Sequence, residues 1–251
     1  MATANTTASV VLTGASQGIG KAILLELARG RHFVVGLSRT KPAELADHAG
    51  SRESQYIAWK PLDLSRPADV EQCAASLELT AIRALILCAV DYGANGRHPA
   101  SATSAQEWNQ VIATSCVGQC ILVSRLLPKL ITNSPGIIIN LSSDVAVAPA
   151  PGRAAYAASK AGLHAMLRAV AAEHSIDCLR VYQLIPTFQS LTEGIRRRRP
   201  PGFDFSSYTD PAVIAKSVAQ IVSTCGDSIA PGTYSVHRDG TLAQYSEVTQ
   251  I

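Results

Sequence analysis

Short, nearly continuous apolar bursts rich in β-branched residues recur along the chain. They are Ser9–Thr13, Phe33–Leu37, Gln55–Trp59, Ala84–Ala89, Gly136–Leu141, Leu179–Ile185 and Gly232–Val236. Most do not alternate apolar with polar positions, as expected for strands buried on both faces of a parallel sheet. Between them lie stretches of helical character: Gly18–Arg29, Pro67–Leu77, Ala105–Ile131, Tyr156–His174 and Pro211–Cys225. Asp210-Pro211 suits the start of the last helix, with a capping carboxylate and a proline at the first helical position. The alternation runs from end to end and predicts one α/β domain over residues 1–251, a doubly wound parallel sheet of about seven strands. One segment, 188–209, breaks the pattern after the sixth strand. It holds an arginine run, Pro200-Pro201-Gly202, Phe203 and Phe205, and a substrate lid fits there.

Composition narrows the class. A chain of 251 residues that is 47% hydrophobic buries a large core without disulfides or structural metals. Charged residues make up only 16%, which excludes disorder of the whole chain. A net charge of +3 is too mild to imply nucleic acid. The dense basic cluster Arg196-Arg197-Arg198-Arg199 could hold phosphate, although a solvated loop or helix end accounts for it as well. Six cysteines, at 73, 88, 116, 120, 178 and 225, include no C-x-x-C pair, so neither zinc nor redox chemistry is expected and reduced thiols are. The N-terminal MATANTTAS lacks the basic and long apolar regions of a signal peptide, and the longest apolar run, Ala84–Val90, is too short to span a bilayer. A cytoplasmic protein without metal, nucleic acid or membrane partner is the expectation.

Candidate chemistry concentrates at three strand ends. The first strand runs into Thr13-Gly14-Ala15-Ser16-Gln17-Gly18-Ile19-Gly20 and then a helix, the context of a dinucleotide site. Glycines let backbone approach a pyrophosphate, and a helix N-terminus offers N–H groups and positive dipole; a turn built only for close helix–strand packing is the competing reading. The second strand ends in Ser38-Arg39, with Lys41 nearby and no acid to repel a ribose 2′-phosphate. A hydroxyl and a guanidinium suit a phosphate monoester, which points to NADP(H). The fifth strand ends in Ser142-Ser143. Thirteen residues beyond Ser143, Tyr156 and Lys160 stand at i and i+4, on one helix face. A neighbouring ammonium lowers a phenol's pKa towards working pH, as general acid–base catalysis requires.

With these motifs the chain resembles the short-chain dehydrogenase/reductase family from about residue 8 to 240. It matches T-G-x-x-x-G-x-G at all four fixed positions, and Ser143, Tyr156 and Lys160 look like the family's triad. The tail from Asp210 through Pro231-Gly232-Thr233-Tyr234 is loosely similar to benzil-reductase and sepiapterin-reductase-like members. The resemblance implies a single-domain Rossmann fold and an NADP(H)-dependent oxidoreductase that moves a hydride between the nicotinamide and a small-molecule carbonyl or alcohol, with tyrosine as general acid/base. It places the cofactor along Thr13, Gly14, Ser16, Gln17, Gly18, Ile19, Gly20, Ser38, Arg39, Asp63, Leu64, Ala89, Tyr156, Lys160, Pro186 and Thr187. It also implies a homotetramer or homodimer through the helices containing Ala105–Ile131 and Tyr156–His174.

Three departures stand out. Leu87-Cys88-Ala89-Val90 replaces the family's Asn-Asn-Ala-Gly, Ser115 replaces the Asn that holds a proton-relay water, and Pro186-Thr187 replaces Pro-Gly, with Thr192 one place beyond the family's pattern. They keep open an alternative, a catalytically silent nucleotide-binding interaction protein. Candidate substrate-wall residues are Asp91, Tyr92, Asp144, Val145, Arg153, Phe188, Phe203 and Phe205. Asp144 would favour a cationic or hydroxyl-rich substrate, the lid arginines a carboxylate or phosphate.

Overall fold

The structure, a computed structural model, describes residues 9–43, 45, 52–93, 97–132 and 134–245. In chain order its elements are β1 (Ser9–Thr13), α1 (Gly18–Arg29), β2 (Val34–Ser38), β3 (Ile57–Pro61), α2 (Pro67–Ser76), β4 (Ile82–Leu87), α3 (Ala105–Ile112) and α4 (Gly118–Ile131). There follow β5 (Gly136–Leu141), α5 (Ala154–Ala172), β6 (Leu179–Pro186), α6 (Glu193–Arg197), α7 (Ala212–Ser223), β7 (Gly232–Val236) and β8 (Leu242–Gln244). The sheet order is β3-β2-β1-β4-β5-β6-β7-β8. The strands from β1 to β7 pair in parallel, and β8 folds back antiparallel on β7. The order reverses between β1 and β4, which opens a crevice at the carboxyl ends of those strands.

Successive residues of a strand face opposite sides of the sheet, so one burst feeds two cores. Val10 and Leu12 pack with Leu27 of α1 and Ile214 and Ile221 of α7. Val11 packs with Leu122 and Leu126 of α4 and Leu163 and Leu167 of α5 on the other side. This double burial is why the strands read as continuous apolar runs. The helical run over Ala105–Ile131 is long and apolar enough to cross a membrane by length and composition, yet Val111, Leu122, Val123, Leu126 and Leu130 on its inner face are buried in the protein.

The boundaries shift for local reasons. β3 begins at Ile57 because Ser54–Tyr56 closes a tight turn. β4 stops at Leu87 because the N–H groups of Cys88 and Ala89 turn to the Thr13 hydroxyl instead. The helix over Ala105–Ile131 contains a wider, i→i+5 turn at Ala113–Val117, a feature frequent at functional sites. α7 starts where expected, with the Asp210 carboxylate accepting the Ala212 N–H at 2.8 Å. β8 is three residues long and too short to register as a hydrophobic burst. The excursion 188–209 is pinned at its base: Leu191 N–H bonds Thr209 C=O at 2.8 Å, and Thr209 N–H bonds Gln189 C=O at 2.9 Å.

Candidate active site

A cleft of about 1170 Å³ opens at the β1–β4 crevice. It is lined by the expected catalytic and cofactor residues except Thr13 and Ser115, which are buried beneath it. Of the expected substrate wall, Phe203 and Phe205 do not line it and pack instead with Tyr208, and Lys41 does not line it either. The cleft thus joins the glycine turn, the end of β2, the end of β4, Ser143, Tyr156 and Lys160.

The glycine turn serves packing and exposes a binding group at once. A Cβ on Gly14 would lie 2.8 Å from Ala89 Cα, and one on Gly20 would lie 2.1 Å from the Gly14 carbonyl oxygen. Those two glycines therefore permit the close approach of turn, β4 and helix. Gly18 has φ +59, a backbone conformation that glycine adopts without strain. Its N–H points out of the α1 N-terminus and already holds an anion: Glu193 Oε2, from the lid helix α6, lies 3.3 Å away. The other oxygen of that carboxylate takes the Lys21 ammonium at 2.5 Å. Arg197 of the same helix donates to Gln17 Oε1 at 2.7 Å. The Lys21 hydrogen bond first, with the backbone N–H groups of Glu193 and Gly18 and the Lys21 charge, holds the Glu193 carboxyl below its usual range. The helix end is thus shown to accept an oxyanion.

At the end of β2 the two expected residues part ways. The Ser38 hydroxyl donates to Thr40 C=O at 2.8 Å and accepts the Trp59 indole N–H at 3.0 Å, so it braces β2 against β3. Arg39 is exposed at the cleft edge and bears on Asp63. Partial burial opposes charge on the Asp63 carboxyl, but hydrogen bonds from Ser65 and the charges of Arg39 and Arg66 hold it below its usual range. Across the cleft, Thr187 donates to Val236 C=O at 3.1 Å, and Thr192 caps α6 by accepting the Ile195 N–H at 3.3 Å.

The end of β5 and the first turns of α5 carry Ser143, Tyr156 and Lys160. Tyr156 is 6% exposed. Its phenol is held above its ordinary range, first by burial and then by Tyr92, while Ser143 hydrogen bonding and the Arg153 charge pull it down and Asp144 raises it again. Lys160 is 3% exposed, and its Nζ donates to Leu141 C=O at 2.7 Å. Burial lowers Lys160 to about 8. The spacing alone predicts that the Lys160 ammonium lowers the Tyr156 phenol. In the structure Ser143 and Arg153 are the leading groups that pull the phenol down, and the Lys160 Nζ donates to the Leu141 carbonyl. Ser143 Oγ donates to Asp144 Oδ1 at 2.7 Å.

The profile of the short chain dehydrogenase family matches residues 8–200. The chain belongs to that family. Among its relatives is the 3-oxoacyl-[acyl-carrier-protein] reductase FabG of Staphylococcus aureus strain Mu50, 26% identical over 248 residues that cover 92% of this chain and 97% of the relative. A 179-residue stretch is 30% identical to the glycine betaine reductase ATRR of Emericella nidulans, covering 70% of this chain and 14% of that protein. Two solved structures share the fold. An alcohol dehydrogenase from the archaeon Thermococcus sibiricus, complexed with 5-hydroxy-NADP, superposes with a TM-score of 0.77 at 20% identity over 95% of this chain and 99% of its own. A serine dehydrogenase in closed form with NADP+ superposes with a TM-score of 0.77 at 22% identity over 96% and 98%.

In this short chain dehydrogenase the altered β4 end is rebuilt from below. The Thr13 hydroxyl accepts the Cys88 and Ala89 N–H groups at 3.0 and 3.1 Å and donates to Gln119 Oε1 at 3.2 Å. Gln119 Nε2 in turn donates to Ala89 C=O at 2.9 Å. Gln119, fully buried, is the supporting residue that sequence reasoning missed; a lone polar residue on the apolar α4 face was its only signal. Ser115 sits in the wide turn of the helix. It accepts the Asp91 N–H at 2.8 Å and donates to Asp91 C=O at 3.2 Å. Its hydroxyl is therefore committed to fixing the loop after β4, and it does not open into the cleft.

Proposed function

We propose that this short chain dehydrogenase is an NADP(H)-dependent oxidoreductase that interconverts a small-molecule carbonyl and its alcohol, with Tyr156 as general acid/base. The observation that carries the proposal is the shared cleft: Ser143, Tyr156 and Lys160 face the same space as the Gly18 N–H, which already holds a carboxylate. The glycine turn would take the pyrophosphate, and Arg39 a ribose 2′-phosphate. The NADP derivatives in the two solved structures support that choice of cofactor, and the reductase activity of the S. aureus relative supports the carbonyl-to-alcohol direction.

When bound, NADPH supplies the hydride. The chain supplies the rest. Tyr156, kept protonated by burial, gives its proton to the alkoxide that develops on the substrate. Ser143 orients the same oxygen once its hydroxyl turns from Asp144. Lys160, whose Nζ donates to the Leu141 carbonyl, would hold a ribose hydroxyl of the bound cofactor. Ser115 is a positioning residue that fixes Asp91 and with it the wall carrying Tyr92. The intact Ser143, Tyr156 and Lys160 cluster favours this reading over a catalytically silent nucleotide-binding protein. A homodimer or homotetramer through the outer faces of α4 and α5 belongs to the same proposal. Val117 is 41% exposed there, and Ala158, Gly162 and Ala165 lie on the surface; light scattering on the purified protein measures the assembly.

The decisive experiment replaces Tyr156 with Phe and follows NADPH consumption across a panel of ketones and aldehydes, with NADPH binding measured in parallel. Turnover is expected to fall by about 10²–10⁴-fold with NADPH affinity unchanged. Turnover that survives the substitution overturns the assignment of Tyr156.

A further inference from the structure

Among the arginines that line the cleft, two rest on aromatic rings at its reacting end. Arg153 immediately precedes α5 and Arg198 immediately follows α6. Arg153 Cζ lies 5.9 Å from the centre of the Tyr156 ring, and Arg198 Cζ lies 4.9 Å from the centre of the Tyr92 ring. The two rings are themselves 5.0 Å apart, inclined at 45°. Arg153, Tyr156, Tyr92 and Arg198 are therefore linked by successive contacts in one cleft, with the proton donor among them.

These two arginines differ from the others with assigned partners. Arg29, Arg66, Arg125 and Arg180 each meet a carboxylate, Arg197 holds Gln17 and Arg199 holds the Tyr208 hydroxyl. Among the described residues Arg153 and Arg198 have no ion-pair or side-chain hydrogen-bond partner, only an aromatic face; Arg196 shares that state on Phe205 but does not line the cleft. The carboxylates nearby are engaged elsewhere. Asp144 accepts from Ser143 Oγ and from the Val145 N–H at 2.9 Å. Asp91 accepts from the Gly93 N–H at 2.9 Å and from Gln110 Nε2 at 3.4 Å. At the Tyr156 phenol the pull of Arg153 exceeds the push of Asp144, and Arg198 and Arg153 both draw on the Tyr92 hydroxyl. The reacting end of the cleft is thus electropositive, with five guanidinium donors on each arginine and no side-chain acceptor for them among the described residues.

We propose that Arg153 and Arg198 clamp an anionic group of the substrate, so that the substrate is a carbonyl compound, or its alcohol, bearing a carboxylate or phosphate within a few bonds of the reacting carbon. The inference rests on the oxidoreductase reading above and deepens it. Both anions suit the planar fork of a guanidinium, which binds two oxygens at once. Arg153, beside the proton donor, sets the short distance between anion and carbonyl. Arg198 belongs to the lid excursion, so an anion that engages it also draws the lid across Tyr92.

Binding of matched probes to the protein saturated with NADP+ tests this. Phenylglyoxylate, its methyl ester and 2-oxo-2-phenylethyl phosphate are titrated by calorimetry, and NADPH consumption with each is followed separately. At least one anionic probe is expected to bind about ten-fold or more tightly than the ester, and the better of the two names the carboxylate or the phosphate. Arg153→Met and Arg198→Met should each weaken the anion about ten-fold and leave the ester unchanged; Arg198 lies on the exposed lid, so its variant reports even if the α5 variant unfolds. Equal affinity for ester and anions, no binding of either anion, or an anion preference that persists in the double variant overturns the clamp. Arginine-dependent anion binding without NADPH consumption by any probe or ketone would instead leave the clamp standing and count against the oxidoreductase reading.

Discussion

Tyr156 and Lys160 are moved in opposite directions by the same cause. Burial holds the phenol above its usual range and brings the ammonium down to about 8, because a dry site disfavours whichever form is charged. In carbonyl reduction the phenol must carry its proton, which it keeps throughout the neutral range. The ammonium is the first group lost as pH rises. The value of kcat/KM for reduction is therefore expected to be flat below pH 7 and to fall through a limb near pH 8; a pH–rate profile whose only limb lies near 10 would show that the Lys160 charge is not needed. The same shift has a stability sign. An unfolded lysine titrates near about 10.4, so between about 8 and 10 the unfolded chain binds more protons and stability rises with pH over that window. Gln119 carries the second residue-scale prediction. Its amide satisfies Ala89 C=O and accepts from Thr13, and Gln119→Leu strips the Ala89 carbonyl of that donor and leaves the Thr13 hydroxyl only the longer 3.4 Å acceptor at Ile86 C=O. A loss of about 1–3 kcal/mol is expected, read as a lower urea midpoint with an unchanged slope.

At the scale of elements, the α1 N-terminus and the lid helix α6 share one anion. The Glu193 carboxylate occupies the Gly18 N–H and the Lys21 ammonium, the groups a pyrophosphate would take. Binding NADPH therefore has to displace it. Glu193→Gln removes the competing charge, and NADPH affinity is expected to rise several-fold, on the order of the 0.3–1 kcal/mol that a charge is worth at a helix end. A fluorescence titration measures it; weaker binding by the variant would mean that Glu193 grips the lid shut over the cofactor instead. This latch was not legible in the sequence, nor was the pinning of the lid base between Ser190 and Thr209, since both join residues through tertiary contact rather than local pattern. The glycine turn was legible because its requirements are local: φ at Gly18 and close approach at Gly14 and Gly20 leave a fixed spacing in the chain. β4 was placed two residues late at each end because Cys88 and Ala89 are apolar enough to extend a strand, and only the Thr13 hydroxyl, 75 residues away at its contact with Cys88, ends it. Ser38 and Ser115 were recognised as positions but not as braces. A hydroxyl's partner is set by the fold, and here both are backbone carbonyls.

For the whole molecule, the open question is which dinucleotide the cleft prefers, and charge decides it at one edge. The architecture brings α1, the end of β2 and the turn after β3 to one side of the crevice, with Arg39 exposed there and Asp63 tied to Ser65. Asp63 is thus held as a carboxylate beside Arg39, and the sum of the two is close to neutral until a phosphate arrives. An added 2′-phosphate would gain the guanidinium, so a preference for NADPH would depend on Arg39. Ligand that binds only the folded chain stabilises it by about 2.7 kcal/mol at 100 times its dissociation constant, which for a domain of this size raises Tm by roughly 5–10 °C. At equal concentration NADPH is expected to raise Tm more than NADH, and Arg39→Asp should reverse that order without lowering the Tm of the protein alone, because Arg39 is exposed and supports no packed contact. A thermal melt needs no knowledge of the substrate. Equal shifts from the two cofactors would show that the guanidinium does not read the 2′-phosphate, and the preference would then have to come from Lys41 or be absent.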